Sequence, residues 1–548
     1  MISKKTRMML YLLLSAVASC VCFIFGQHLY IDSDEANYAL AVQDMARGNF
    51  FLKNWVFSPD NFWTIDVAGM YALSSIFGNK PFIPHLMAAL WWGGITFLSL
   101  ILCNISKKDY SWQRCLPVIL FLALMPLYDH GPESFISYIP YHVGTVFFGL
   151  CIFVSIQSVI NGKNVPFALM MIFLFTTLIS ASDFFGVVVA IVPAIMALIM
   201  NARSYEEKSF VPKISASIIC GLVASKIIHI IIVKNGGFYS REIHARFLPF
   251  DELPQRAIYT IQSVLDFFGV DFLGKRVGNS LICMLRAIPF VGMVYGIFLL
   301  SKRFTIKEIN NYDYLSRVFI FGFCIDFSAA FFSDFYLTKE DIIRYFLPSF
   351  IYFVLFFSRN FSIKPIAFYV PIFVTVIIYP FSYYNLSDHK SDPFHIDHQI
   401  NTKYIIQALN ENNVHHGYAG YWEGSLVTYE SGEKVISRAI YDEHDPDHQK
   451  ACNLYPHQWL SRLDWYARDN VEQEKYLFFI THDFVSKNND GLLRRDVFNT
   501  FGSPVKSIHI GGNTDIDIYE KRTVETCPNL FITYRFDKDA PPQAISKR

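Results

Sequence analysis

The chain has 548 residues, with 47 basic and 47 acidic side chains that cancel to no formal net charge, which argues against nucleic acid as a partner. Hydrophobic residues make up 53% and aromatic residues 17%, a composition too apolar for a soluble enzyme of this size. The ten cysteines show no zinc-like spacing, so a structural zinc module is not expected.

Lys4, Lys5 and Arg7 precede an apolar run from Met8 to about Gly26. This has the layout of a signal peptide, and Val17-Ala18-Ser19-Cys20 has the look of a lipoprotein cleavage box. The run nevertheless continues through Val21, Phe23, Ile24 and Phe25, so an uncleaved first span is the better reading. Apolar runs then recur to residue 383, giving about eleven transmembrane spans. They cover 8–27, 81–103, 114–129, 140–160, 165–182, 184–201, 211–233, 279–300, 316–334, 343–358 and 364–383. With the N-terminus inside, each inner connection is basic: Lys107, Lys108 and Arg114; Lys163; Arg203, Lys208 and Lys213; Lys302, Arg303 and Lys307; Arg359 and Lys364. The positive-inside rule therefore puts 28–80, 130–139, 234–278, 335–342 and everything after 384 outside.

In the first outer region, 28–80, Tyr38, Ala41, Val42 and Met45 fall at helical spacing, with Gly48 as a C-terminal stop. The pattern predicts a helix lying in the membrane interface, with a second around residues 67–77. Trp55, Phe57, Phe62 and Trp63 between them suit an interfacial aromatic belt. Beyond residue 384 the chain becomes charged and His-rich, and short β-like runs alternate with helical stretches such as 403–410. This predicts an extracytoplasmic α/β domain over 384–548, following a transmembrane domain over 1–383. Cys452 and Cys527 lie in that domain, where an outer location permits a disulfide. The other eight cysteines lie in apolar runs and read as small buried hydrophobes.

Three carboxylates stand directly after the first span, in Ile31-Asp32-Ser33-Asp34-Glu35-Ala36-Asn37-Tyr38. Asp32-x-x-Glu35 ahead of a helix is a capping-box pattern. A cap uses one or two acids and leaves Asp34 or Glu35 to project elsewhere. Lys226 and His229 share a face of span seven, Arg286 lies in span eight and Asp326 in span nine. All four sit roughly 9–13 Å inward from the outer ends of their spans, where ionisable groups face a partner or a cavity. An Arg286–Asp326 ion pair and a basic pocket for a phosphate are both compatible with this placement. Arg246 belongs to an outer loop of mixed charge that either drapes over a lipid or is simply solvated. Asp129, with His130 and Glu133, lies in the second outer loop, His142 at the start of span four, and Asp183 in the hairpin after span five. Asp442–His448 contains Pro446, which prevents a helix from aligning His444 with His448, so it reads as a loop rather than a metal site. No Walker A or Rossmann glycine pattern is present.

Asp34-Glu35-x-x-Tyr38, then Ala41, Met45, Gly48-Asn49-Phe50 and Trp55, resembles the first external loop of GT-C glycosyltransferases. The most similar branch holds protein mannosyltransferases, lipid A aminoarabinose transferases and O-antigen glucosyltransferases. Arg344-Tyr345-Phe346-Leu347-Pro348 is similar to an Arg-Tyr-x-x-Pro element of these enzymes. The Lys-Pro-Pro segment of the aminoarabinose and mannosyl branches is missing; Asn61-Phe62-Trp63-Thr64-Ile65-Asp66 stands in its place.

The resemblance implies inverting transfer from a polyprenyl-phosphate-linked sugar, at the outer face of the bacterial inner membrane, to an envelope glycan such as lipopolysaccharide O-antigen. It implies Asp34 as general base with Glu35 in support. Arg344, Lys226, His229, Arg286 and Arg246 would bind the carrier phosphate. Asp129, Asp183, His142 and Tyr38 would contact sugar or acceptor. No metal site is assigned, although a divalent ion is compatible with the chemistry. A protein O-glycosyltransferase, a lipid A-modifying transferase and a lipid-linked sugar flippase are the rival expectations.

Overall fold

The computed structural model describes residues 3–27, 31–107, 109–127, 141–201, 205–240, 246–267, 311–334, 339–361, 396–443, 452–483 and 491–531, with scattered residues between. The chain forms two compact units. The first comprises Met1–Leu29, Pro59–Ile231 and Glu242–Asp388, the second Tyr30–Ser58, Ile232–Arg241 and His389–Arg548. The second unit thus takes in two segments that sequence reasoning had placed in the transmembrane domain.

Among the described residues, six helices are long and apolar enough to cross a membrane: Lys4–Gly26, Ile83–Leu102, Val143–Ile160, Val165–Ser182, Ser209–Lys234 and Tyr314–Phe332. Shorter apolar helical stretches run over Trp112–Ala123 and Val187–Met200, and a further helix spans Lys339–Asn360. The expected spans 279–300 and 364–383 lie largely outside the described residues.

Among the described residues, three π-helical stretches, Trp63–Val67, Ile119–Ala123 and Val187–Ile191, interrupt the regular ladder of the first unit. A π turn leaves carbonyls without their usual partner, which is costly wherever water is excluded. Side chains from other helices compensate: Tyr352 Oη donates to the Val189 carbonyl at 2.9 Å, and Trp92 Nε1 to that of Leu122 at 3.2 Å. The helix Tyr314–Phe332 lies tightly against Lys339–Asn360 because residue 322 is glycine. A Cβ there would stand 2.5 Å from the Tyr352 ring.

All named strands belong to the second unit. Its main sheet has the order β5-β4-β3-β7-β9-β8, formed by β3 (His416–Ala419), β4 (Ile436–Asp442), β5 (Leu454–Pro456), β7 (Tyr476–His482), β8 (Lys506–Gly511) and β9 (Thr514–Glu520). β3 runs parallel to β4 and β7, and the remaining pairs are antiparallel. The central β7 is apolar nearly throughout and buried from Leu477 onward, as a strand covered on both faces requires. A smaller sheet joins β1 (Trp55–Phe57) to β2 (Tyr239–Ser240) and β6 (Ser461–Arg462).

Among the described residues, the longer helices of this unit are α1 (Ser33–Ala46), α2 (Ile396–Glu411), α3 (Tyr421–Glu430) and α4 (Arg494–Phe501). Cys452 and Cys527 are joined by a disulfide, with their Cα atoms 5.4 Å apart. α1 is the helix expected from Tyr38, Ala41, Val42 and Met45, but nearly its whole circumference is buried. Small residues, including Ser33, Ala36 and Ala41, let it approach α3 closely, so its apolar face is covered by protein.

Candidate functional site

In the second unit, Asp32 is the N-cap of α1: its Oδ1 accepts from the Glu35 amide at 2.8 Å. The capping half of the acidic motif is therefore present. Asp34, half-buried on the first turn, accepts a hydrogen bond from the Tyr421 hydroxyl of α3. Burial, followed by the nearby Asp34 charge, raises the Tyr421 pKa well above its ordinary value and keeps the hydroxyl a donor. Ser33 Oγ donates to the Tyr421 carbonyl at 2.6 Å, and Ser425 Oγ to Asn37 Oδ1 at 2.5 Å, so α1 and α3 are held in register. Glu35 is fully buried. Tyr38 is also buried; its ring stacks on Phe57 at 5.4 Å and its hydroxyl lies 3.2 Å from Ser58 Oγ.

In the first unit, the chain brings His142 and Asp183 together. Asp183 follows the C-terminus of Val165–Ser182, while His142, at φ +64°, caps the N-terminus of Val143–Ile160. His142 Nδ1 lies 2.7 Å from Asp183 Oδ2, an oxygen that also accepts from Thr145 Oγ1. The Phe185 amide supplies Asp183 Oδ1 with a hydrogen bond at 3.0 Å. Phe62, Phe185 and Tyr345 surround the imidazole, with ring centroids at 5.3, 4.9 and 4.7 Å.

Two further carboxylates join this cluster, and the sequence had nominated neither as functional. Asp60, half-buried, shares a hydrogen bond with Asp183. Burial, then the Asp183 charge, pushes its pKa from 3.8 up to about 7. Asp66, fully buried, accepts from Trp91 Nε1 at 2.7 Å and is likewise pushed to about 7, chiefly by burial. Burial acts against charge on His142, but the Asp183 carboxylate outweighs it and raises the imidazole. Burial also acts on Asp183, yet the His142 charge and three side-chain hydrogen bonds hold its pKa below the ordinary value. In the resulting arrangement an imidazole and two carboxyl groups share hydrogen bonds, with the Asp183 charge favouring the charged form of His142 and burial favouring the neutral form of Asp60.

The only signal for Asp66 was its position in the stretch that replaces Lys-Pro-Pro, and for Asp60 its place directly before that stretch. A carboxylate set among Phe62, Trp63 and Ile65 is either buried or at a site. Asp60, His142 and Asp183 also form the one group, among the described residues, whose metal-ligand-type atoms lie within 4.8 Å of one another. Two carboxylates and an imidazole are a donor set suited to a divalent cation. The 2.7 Å imidazole–carboxylate separation is that of a proton-sharing pair, since two tetrahedral ligands of zinc stand about 3.3 Å apart.

Among the proposed phosphate ligands, the Arg344 guanidinium lies 4.4 Å above the Tyr141 ring. Lys226 and His229 are exposed on the helix Tyr205–Lys234. Arg246 is exposed, with its backbone amide bonded to Asp334 Oδ1 at 2.6 Å. Asp326 is buried and accepts from the Ser349 amide and hydroxyl at 2.8 and 2.6 Å. Arg286, its expected partner, and Asp129 lie outside the described residues.

No family model and no curated protein matches the chain. Among solved structures, the chain is similar to ArnT from Cupriavidus metallidurans, crystallised bound to undecaprenyl phosphate. The two share 12% identity over 92% of this chain and 97% of that one, with a TM-score of 0.39. The helices and the sheet themselves define a polytopic helical membrane protein that carries a mixed-sheet domain.

Proposed function

We propose that this chain is an inverting glycosyltransferase that moves a sugar from a polyprenyl-phosphate carrier to an envelope glycan, with lipopolysaccharide O-antigen the favoured acceptor. Its place is the bacterial inner membrane, with the N-terminus cytoplasmic and the 384–548 region periplasmic. One observation carries the choice of base. Of the acidic pair that suggests the chemistry, Glu35 is sealed from solvent, whereas Asp34 keeps partial exposure and a hydrogen-bonded orientation. Asp34 then takes the proton of the acceptor hydroxyl as its oxygen attacks the anomeric carbon and the bond to the carrier phosphate breaks. General-base help of this kind is worth about 10²–10⁴-fold. The departing phosphate gathers negative charge, and Arg344 is the leading cation to neutralise it, with Lys226, His229, Arg246 and Arg286 as further candidates. Asp183 and His142 supply acceptors and donors for sugar hydroxyls.

A second assignment of the proton step rests on Asp60, a half-buried carboxyl held near neutrality, the range in which a general base works best. The test uses membranes from cells producing the intact chain, Asp34→Asn or Asp60→Asn, supplied with a radiolabelled polyprenyl-phosphate sugar. Asn at 34 still accepts the Tyr421 hydrogen bond, so abundance should hold while transfer falls by about 10²–10⁴-fold. Full transfer by Asp34→Asn with loss in Asp60→Asn would move the base to Asp60. Donor that crosses the bilayer uncleaved would favour the flippase. Label arriving on protein or lipid A instead of glycan would identify one of the other transferases.

A further inference from the structure

The second unit contains a cavity of about 270 Å³ on one face of its main sheet, lined by His416, Tyr418, Arg438, Arg462, Trp465 and Asn470 among others. Strand alternation creates this wall. Tyr418 and Arg438 are register partners across parallel β3 and β4, and His416 and Ile436 are the pair two residues earlier, so all four share one face. The segment after β6 supplies Trp465 and Asn470. The volume is near the lower end of the roughly 300–1,000 Å³ typical of small-molecule sites, which suits one sugar ring.

The two arginines differ in how their charge is answered. Arg462 donates to Asp44 at 2.8 Å and to Asp464 at 2.7 Å. The Arg438 guanidinium lies over the Trp465 indole, its Cζ 4.0 Å from the ring centroid, and its Nε and Nη1 find no acceptor among the described residues. Two carboxylates act on its charge: Glu433, which is paired with Arg47, and Asp464, which lines the cavity and is paired with Arg462. A guanidinium held rigid on an aromatic face, shielded and short of acceptors, is a fork set for a planar or tetrahedral oxyanion. The surrounding hydroxyl, indole, imidazole and amide groups are those that read sugar hydroxyls.

We propose that this cavity is a binding site for an acidic sugar residue, with Arg438 taking the carboxylate of a uronate or the phosphate of a sugar phosphate. The site is independent of the transfer chemistry proposed above. Isothermal titration of the full chain in detergent tests it, using glucuronate, glucose 6-phosphate, glucose and inorganic phosphate as probes. Both acidic sugars should bind saturably, and glucose and inorganic phosphate at least about tenfold more weakly. Arg438→Gln should weaken the acidic sugars by about 10–100-fold. Arg438→Lys keeps the charge and the stem over Trp465 but loses the fork, so it should fold normally and bind with intermediate strength. Ala467→Phe, filling the cavity with Arg438 intact, should abolish binding. Acidic sugars binding no tighter than glucose, or Arg438→Gln binding as the unaltered chain does, would overturn the proposal. Inorganic phosphate binding as tightly as the sugar acids would overturn the sugar part.

Discussion

Asp66 is buried with one hydrogen-bond donor, the Trp91 indole, among the described residues, so its charged form is poorly supported. Its carboxyl is neutral well above the usual range, at about 7 against 3.8. Such a group binds its proton more tightly folded than unfolded, so its stabilising contribution is complete below about pH 4 and is lost as pH rises through 7. Asn is isosteric with the neutral acid and keeps the acceptor for Trp91. Asp66→Asn should therefore melt with the unaltered protein at pH 3 and above it at pH 8.5, by up to roughly 4 kcal/mol. Asp66→Ala instead orphans the buried indole N–H and should cost about 1–3 kcal/mol even at pH 3. Thermal unfolding of the detergent-solubilised protein across pH measures both, and a gap between the unaltered protein and Asp66→Asn that does not vary with pH would contradict the first. At this scale the sequence exposed single residues and not their company. Asp183 and His142 stood out as polar groups at span ends, but nothing local said they would touch, 41 positions apart. Asp60 and Asp66 stand among aromatic residues that read as an interfacial belt, and nothing local tells which carboxylates there are buried together.

At the scale of elements, the helix Val143–Ile160 is placed by a close approach at Gly144. A Cβ on that residue would meet Ile65 and stand 2.9 Å from both Asp66 Oδ1 and Trp91 Nε1. Two effects compete in Gly144→Ala. Alanine favours a helix interior over glycine by about 0.5–1 kcal/mol, an upper bound for Gly144 because it is the second residue of its helix. Overpacking costs about 1–3 kcal/mol, and here it strikes a buried hydrogen bond as well. The clash should win, lowering stability by about 1–2 kcal/mol net and changing the Trp91 fluorescence environment. Unchanged fluorescence together with a higher melting temperature would show that the helix shifts freely. The long helices were legible because a run of apolar residues reports its own length. The π stretches were not, since their cause is a partner side chain such as Tyr352 or Trp92 from elsewhere in the chain. The same reason explains α1: periodicity finds one apolar face, and the small residues that let the other faces be covered carry no hydropathy signal.

At the scale of the whole molecule, the second unit is assembled from three separated segments, and α1 reaches its partners in α3 across nearly four hundred positions. No local pattern announces such a pairing, which is why a boundary near 384 looked sufficient. The fragment His389–Arg548 keeps all six strands of the main sheet and the Cys452–Cys527 cross-link. Closing a 75-residue separation is worth about 4.5 kcal/mol in the chain-entropy view, enough to hold the sheet together while oxidised. What the fragment lacks is the cover of α3. Tyr421, Leu426, Val427 and Tyr429 are buried in the intact chain, and part of that burial comes from α1. Expressed alone in an oxidising compartment, the fragment should show native-like circular dichroism but self-associate, because an uncovered apolar helix face finds another copy. Adding a peptide of residues 30–58 should restore a monomer through the Ser33–Tyr421, Asp34–Tyr421 and Asn37–Ser425 contacts. Asn37→Ala in the peptide should weaken this rescue by about fivefold or more, as expected for a buried hydroxyl left without its acceptor. Size-exclusion chromatography with light scattering reads each step. A fragment that is monomeric without the peptide would mean that α1 is dispensable cover, and that the second unit folds from its C-terminal segment alone.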